Sequence, residues 1–396
     1  MFLIYYFLGL IGIFTSLIVV HICVLFILSR LKKYKPNDYK NFYKTYSFLI
    51  PAFREGKILL NTIDAIKKLN YDKSKFEIFL IADDCDPNIL KNLEGKCKII
   101  QINFTEHSKA KSLQAAISEV KDKFDYVVIL DADNLPHPNF LLEIDKTASK
   151  NIEVIQGKRV AKNKDNIYSK TDSLTESFYN ILDRKIPNSL GLPVTLSGSG
   201  FAIKTKLFCN YILQVNVIGG FDKVFQSVLV KNNIKLVYNE NAIIYDEKIS
   251  NKQAYIRQRS RWIYFNFYNA FNYGLQILGI GLLGLDFTKI HFAIVSLRPP
   301  LILFSSVLVV FSVFSFLFSL FIGVFFFSQF ILLILVTLFI LFETEDFSLD
   351  IIKNFPRILV NQFYSLVKIK NSKFESKNTL HLVDETIDEI ISKRNE

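Results

Sequence analysis

The sequence holds only four cysteines, one methionine and one tryptophan in 396 residues. No two of Cys23, Cys85, Cys97 and Cys209 form a CxxC pair, and Cys23 sits in an apolar run. A zinc site or a disulfide framework is not expected; reduced thiols facing the cytosol are. The glycine-rich stretch at 195–203 lacks the lysine of a phosphate-binding P-loop and makes no dinucleotide fingerprint. No internal repeat and no low-complexity linker occurs. The first apolar run has no small-residue cleavage site and is too long for the core of a removable leader.

What remains is an uneven chain. Half of it is hydrophobic and 21% is charged, with a net charge of +11. Both can be high only if apolar and polar segments are kept apart. Residues 3–29 carry no charge and exceed the roughly 20 apolar residues that a bilayer needs. The basic cluster "RLKKYK" follows, which places the N-terminus outside and the next domain in the cytosol. Residues 299–342 are almost wholly apolar, a length for two spans turning near Gly323. The expected organisation is a transmembrane helix over 1–30, a cytosolic α/β domain over 31–262, amphipathic interface helices over 263–298, two transmembrane helices over 299–343 and a cytosolic tail over 344–396. Nucleic acid, an anionic lipid surface and a phosphate-rich substrate each account for the basic charge.

Between 45 and 250, short apolar runs alternate with helical patterns, which predicts a mostly parallel sheet with helical crossovers. "TYSFLIPAF", "KFEIFLIADD" and "FDYVVILDADN" read as strands; "GKILLNTIDAIKKL" and "KAKSLQAAISEV" read as helices. Ligands bind such sheets beyond the carboxyl ends of the strands, and both acidic clusters fall there. Asp131 and Asp133, two apart, would share one side of an extended chain and suit a hard divalent cation carrying phosphates; a solvated acidic turn fits as well. Asp83 and Asp84 follow a buried strand and suit a ribose or base, or a plain turn. Glu55 suits the same ligand, or a helix start. Ser197-Gly198-Ser199-Gly200 lets a ligand approach the backbone, or simply turns the chain. Asp222 is a carboxylate at a helix start, where an N-cap is the simple reading. Gln258, Arg261 and Trp262 share one face of a helix. They suit phosphate and sugar, or an anchor at the lipid interface.

Taken in order, these stretches resemble the family-2 glycosyltransferases of GT-A fold, especially the membrane-embedded processive branch of cellulose, chitin, hyaluronan and poly-N-acetylglucosamine synthases. The resemblance covers about residues 45–265 and rests on Pro51-Ala52-Phe53-Arg54-Glu55, Asp83-Asp84, Ser108 to Leu113, Asp131-Ala132-Asp133, Ser197 to Gly200, Phe221-Asp222 and Gln258 to Trp262. Arg54, Ser108 and Phe221 depart from the family's asparagine, glycine and acid. The resemblance implies a Rossmann-like GT-A domain with transmembrane helices, and inverting transfer from a nucleotide-sugar, UDP-linked in most of this branch, to a growing β-linked polysaccharide. It implies Asp222 as base, Mg²⁺ or Mn²⁺ on Asp131 and Asp133, and donor contacts from Pro51, Glu55, Asp83, Asp84, Lys109, Asp131 and Arg261. Ser197 to Gly200, Gln258 and Trp262 would hold the acceptor. A lipid membrane and partner membrane subunits are implied partners, and nucleic acid is not. Transfer of one sugar to a lipid-linked acceptor, and a non-catalytic membrane receptor or transport subunit, are the alternatives.

Overall fold

The structure is a computed structural model, and it describes residues 2–32, 43–371 and 383–395. The chain forms two compact units: 1–35, 177–193 and 255–374 make one, and 36–176, 194–254 and 375–396 make the other.

The second unit is built on eight strands: β1 (Tyr46–Phe53), β2 (Phe76–Asp83), β3 (Lys98–Ile102), β4 (Tyr126–Ile129), β5 (Leu135–Pro136), β6 (Val154–Ala161), β7 (Phe201–Lys204) and β8 (Leu236–Asp246). They form one sheet in the order β3-β2-β1-β4-β7-β6-β8-β5. The β3-β2-β1-β4 half is parallel, as expected from its crossovers. β7 runs antiparallel to both β4 and β6, and β5 antiparallel to β8, so the sheet is mixed. Chain order reverses between β1 and β4, the kind of switch point where open sheets bind ligands.

β1 and β2 are apolar nearly throughout because both faces are covered. The helix Ile58–Lys67 buries Ile58, Leu59, Thr62, Ile63 and Ile66, the spacing of one helical face. Pro51 is tolerated inside β1 because of its side. Leu49 accepts from Leu130 N–H on the β4 side, and Arg54 donates to Asp83 on the β2 side. Alternation points residue 51 toward β4, where pairing has ended at Leu49–Ile129. The β6–β8 register jumps between Gly157 and Lys158. A Cβ at Gly157 would stand 2.5 Å from the Ala242 carbonyl oxygen, so only glycine fits that bulge.

The other unit is helical. Leu3–Leu31 and Leu320–Phe342 are long and apolar enough to cross a membrane. Phe287–Leu297 and Leu301–Phe316 together would count as a third span, but they meet at 78°. Pro299 and Pro300 lie at that break, where proline cannot continue a helix. The turn between the last two apolar helices lies at residues 317–319 rather than at Gly323. Gly323 instead sits inside the second helix and gives room to Phe316. Two sets of polar groups buried in this unit are paired: Arg298 forks onto Asp183 at 2.8 and 2.7 Å, and His21 meets His291 at 3.0 Å. All four cysteines are free.

Gly200 has φ +67°, and a Cβ there would overlap the Ile244 side chain. Gly200→Ala therefore adds left-handed strain of about 1–2 kcal/mol and overpacking of about 1–3 kcal/mol. The expected outcome is a fall in melting temperature on the order of 5–10 °C, read by thermal unfolding of the solubilised protein.

Candidate active site

The carboxyl ends of β1, β2 and β4 bring the acidic landmarks to one edge. β4 ends at Ile129, and the two acids lie in the turn beyond it, closed by Asn134 N–H donating to Asp131 O at 3.1 Å. They are therefore not set by strand alternation, and their surroundings differ. Asp131 is half-exposed and pairs with the Lys109 ammonium. Asp133 is 8% exposed; its carboxylate accepts from Glu247 N–H at 3.3 Å and Asn134 Nδ2 at 3.1 Å. The Lys162 ammonium donates to the Asp133 carbonyl, and Thr62 donates to the Ala132 carbonyl at 2.7 Å. Burial pushes the Lys162 ammonium down despite the pull of Asp133 and Glu247. The Ala132 and Asp133 carbonyls are thus each held by a separate element.

The small-residue loop is fastened to the same turn. Asp131 N–H donates to Ser199 Oγ at 2.8 Å, and that hydroxyl donates to buried Asn134. Gly200 N–H donates to Ile129 O at 2.8 Å. From behind, Gln156 accepts from Ser197 N–H at 2.9 Å and donates to the Ser199 and Gly200 carbonyls. Arg159 donates to Ser197 O at 2.6 Å and pairs with buried Asp246. Lys248 lies 3.0 Å from Asp246 and 3.8 Å from Glu176. Burial alone would depress the Lys248 ammonium, but Asp246, Asp172 and Glu176 outweigh it and the net shift is upward.

Lys109 opens the helix Lys109–Ala115 and reaches two partners. It pairs with Asp131 and donates to Gly198 O at 2.7 Å. Gly198 has φ +83°, and a Cβ there would stand 3.5 Å from Asp222 Cβ. Asp222, the second residue of the helix Phe221–Lys231, thus packs directly against the loop. Its carboxylate is half-buried and makes no hydrogen bond among the described residues. Phe221, where the resemblance would have an acid, stacks on Phe225 with its ring 5.8 Å from Lys109 Nζ. Asp131, Asp133, Lys109, Ser197 to Gly200 and Asp222 are therefore brought together.

The β1 and β2 ends form a second cluster. Arg54 and Asp84 both have left-handed φ, and they pair at 2.6 Å. Glu55 is half-buried beside Cys85, whose thiol is raised by burial. Asp83 is 1% exposed, and one carboxylate oxygen meets His107 Nδ1 at 2.8 Å. Its other oxygen is buried without a hydrogen-bond partner among the described residues. The His107 ring lies 4.2 Å from the Phe53 ring. Sequence reasoning missed His107, Thr62, Arg159 and Lys162. His107 stands two residues before Lys109 in "EHSK", and that proximity was its only signal.

Gln258, Arg261 and Trp262 lie on the helix Lys252–Asn269, as their spacing predicts, and belong to the other unit. Trp262 is 40% exposed, and the Arg259 guanidinium lies 4.6 Å from its ring centre. The Gln258 side-chain oxygen is buried without a partner among the described residues.

Among those residues no group of three or more His, Cys, Asp or Glu side chains could hold a metal ion. Two carboxylates at a strand end match instead the donor set of an ion whose other ligands are substrate phosphates and water. Asp131 and Asp133 fit that case, and a closed protein cage is not what they form.

Comparison with known proteins identifies the family and the fold. A family profile described as "Glycosyltransferase like family 2" matches residues 44–265, more than half of the chain. A probable glucomannan 4-beta-mannosyltransferase 7 of Oryza sativa subsp. japonica is 29% identical over 104 residues. That match covers 24% of this chain and only 18% of the rice protein. Among solved structures, mannosyltransferase PcManGT from Pyrobaculum calidifontis, in complex with GDP-Man and Mn²⁺, has a TM-score of 0.58 at 16% identity. The alignment takes in 92% of this chain and 99% of that one, and it establishes a common fold.

Lys109→Met removes the cation between Asp131 and Gly198 and leaves a carboxylate unpaired. Loss of one such electrostatic group lowers turnover by about 10²–10³. Steady-state assay of Lys109→Met and Lys109→Arg is expected to show that loss in the first and partial recovery in the second.

Proposed function

The chain belongs to the glycosyltransferase-like family 2, and on that premise we propose that it transfers a sugar, with inversion, from a nucleoside-diphosphate donor to a saccharide acceptor at a membrane. The observation that carries this reading is the meeting of Asp131, Lys109, Gly198 and Asp222 at the carboxyl edge of the sheet. An ammonium and an unbonded carboxylate beside one glycine support a cation for the phosphates and a base for the acceptor.

In this reading Asp83, Asp84, Glu55 and Pro51 face the nucleoside, and the buried unpaired oxygen of Asp83 takes a donor from it. Asp131 and Asp133 hold the divalent ion, Mg²⁺ or Mn²⁺, which supplies Lewis-acid neutralisation of the leaving diphosphate. Lys109 adds positive charge on the same side. Asp222 takes the proton of the acceptor hydroxyl as its oxygen attacks the anomeric carbon. The bond from that carbon to the diphosphate oxygen breaks in line, so an α-linked donor yields a β-linkage. Ser197 to Gly200 hold the acceptor.

Both named relatives are mannosyltransferases. GDP-mannose therefore joins the UDP-sugars at the head of the donors to test. The QxxRW helix supports processive synthesis of a β-linked polymer. The two or three apolar helices long enough to span among the described residues suit single transfer to a lipid-linked acceptor, or polymer export with partner membrane subunits. A multi-pass protein with its transferase unit in the cytosol suits either case.

Reconstituted protein incubated with radiolabelled UDP- and GDP-sugars and Mg²⁺ or Mn²⁺ is expected to yield labelled polymer or glycolipid; no incorporation from any donor would sink the reading. Chelation by EDTA should abolish incorporation, with recovery on adding Mn²⁺. Asp222→Asn should lower transfer by about 10²–10⁴ and leave nucleotide affinity, read by calorimetry, within twofold. Wild-type turnover in that variant would remove Asp222 from the role of base.

A further inference from the structure

The helix Ile387–Asn395 lies outside the stretch that the family profile matches, yet it belongs to the same unit as the acidic turn. It begins with a capping box: Thr386 N–H donates to Glu389 at 2.7 Å, and Glu389 N–H returns to Thr386 Oγ1 at 3.4 Å. Two turns of helix then present Ile387 and Ile390 inward, each 2% exposed. They pack with Ala65, Leu135 and Tyr245 as a separate small core.

Those contacts fall on the elements that hold the Asp131–Asp133 turn. Leu135 is two residues beyond Asp133 and pairs with Tyr245 in the β5–β8 ladder. Tyr245 precedes Asp246 and stands two residues before Glu247, whose N–H binds Asp133. Arg394 lies over the Tyr245 ring at 4.8 Å and donates to Ala161 O at 2.7 Å. The next residue, Lys162, binds the Asp133 carbonyl. On the remaining side Asn61 donates to Asp384 at 2.8 Å. Its neighbour Thr62 holds the Ala132 carbonyl. Three supports of the turn, Glu247, Lys162 and Thr62, thus each lie within two residues of a contact with the segment 384–394.

We infer that this segment is a positioning brace of the active site: Ile387, Ile390 and Arg394 fix the two acids through β5, β8, the end of β6 and the helix Ile58–Lys67. β5 is an edge strand of only two residues, too short to hold its register unaided. The helix covers that edge. The inference rests on the proposed function for the meaning of the acids, but not for the mechanics of the brace.

The test is hydrogen–deuterium exchange on the full chain in lipid nanodiscs, with sugar transfer measured in parallel. Ile387→Asp/Ile390→Asp is expected to raise exchange over 131–137 and 243–248 by tenfold or more. It should lower kcat by a similar factor and raise the Mn²⁺ concentration needed for half activity. A synthetic peptide of residues 383–395 should reverse all three. Exchange over 131–137 within twofold of the parent overturns the brace. If exchange also rises across β1 and β2, the double variant has unfolded, and Arg394→Gln decides by the same readout at an expected threefold or larger effect. Raised exchange at the turn in a protein whose parent transfers no sugar from any donor would keep the brace and remove the transferase reading.

Discussion

One ammonium group ties the site together. Lys109 joins the first acid beyond β4 to the Gly198 carbonyl, which lies 89 residues beyond the lysine itself. Without it, the acidic turn and the small-residue loop would present a carboxylate and a carbonyl dipole to each other at close range, an arrangement that repels. With it, the two segments share a cation, and Ser199 and Gly200 complete the closure through backbone donors. Asp222 is held by its own buried helix, and the closed loop brings Gly198 up against it. Buried Gln156 and Arg159 behind the loop serve the same end: they satisfy its inner carbonyls, while Lys248 pairs with the Asp246 carboxylate that Arg159 also holds.

Much of this was legible in residue order. β1, β2 and β4 fall where apolar runs end in acids, and the helix bearing Gln258, Arg261 and Trp262 falls where the spacing demands. Two readings changed in physical detail. "KAKSLQAAISEV" is not one helix; it breaks at Ala116 into Lys109–Ala115 and Ile117–Val120. Asp131 and Asp133 share no strand face, because β4 stops at Ile129 and a hydrogen-bonded turn takes over. Alternation describes a ladder, and the ladder had already ended.

What could not be read is what depends on distant partners. Arg159 and Lys248 are ordinary basic residues in a basic chain until Asp246 and Glu176 are seen beside them. His107 has no pattern of its own; Asp83 and Phe53 define it. The antiparallel entry of β7 also escapes local reading, since a four-residue strand looks alike in either direction. The units themselves interleave, with 177–193 grouped with the apolar helices, which no composition shift marks.

Gly198 carries a consequence of another kind. It has no charge and titrates nowhere, yet it holds the backbone in a left-handed turn, φ +83°, beside Asp222. An added Cβ would meet Asp222 only at ordinary contact distance, so a substitution at codon 198 would act through the loop's backbone and not by pushing the carboxylate aside. In a survey of natural variants, intolerance at this position would report the conformation of the loop, for a reason of geometry rather than of chemistry.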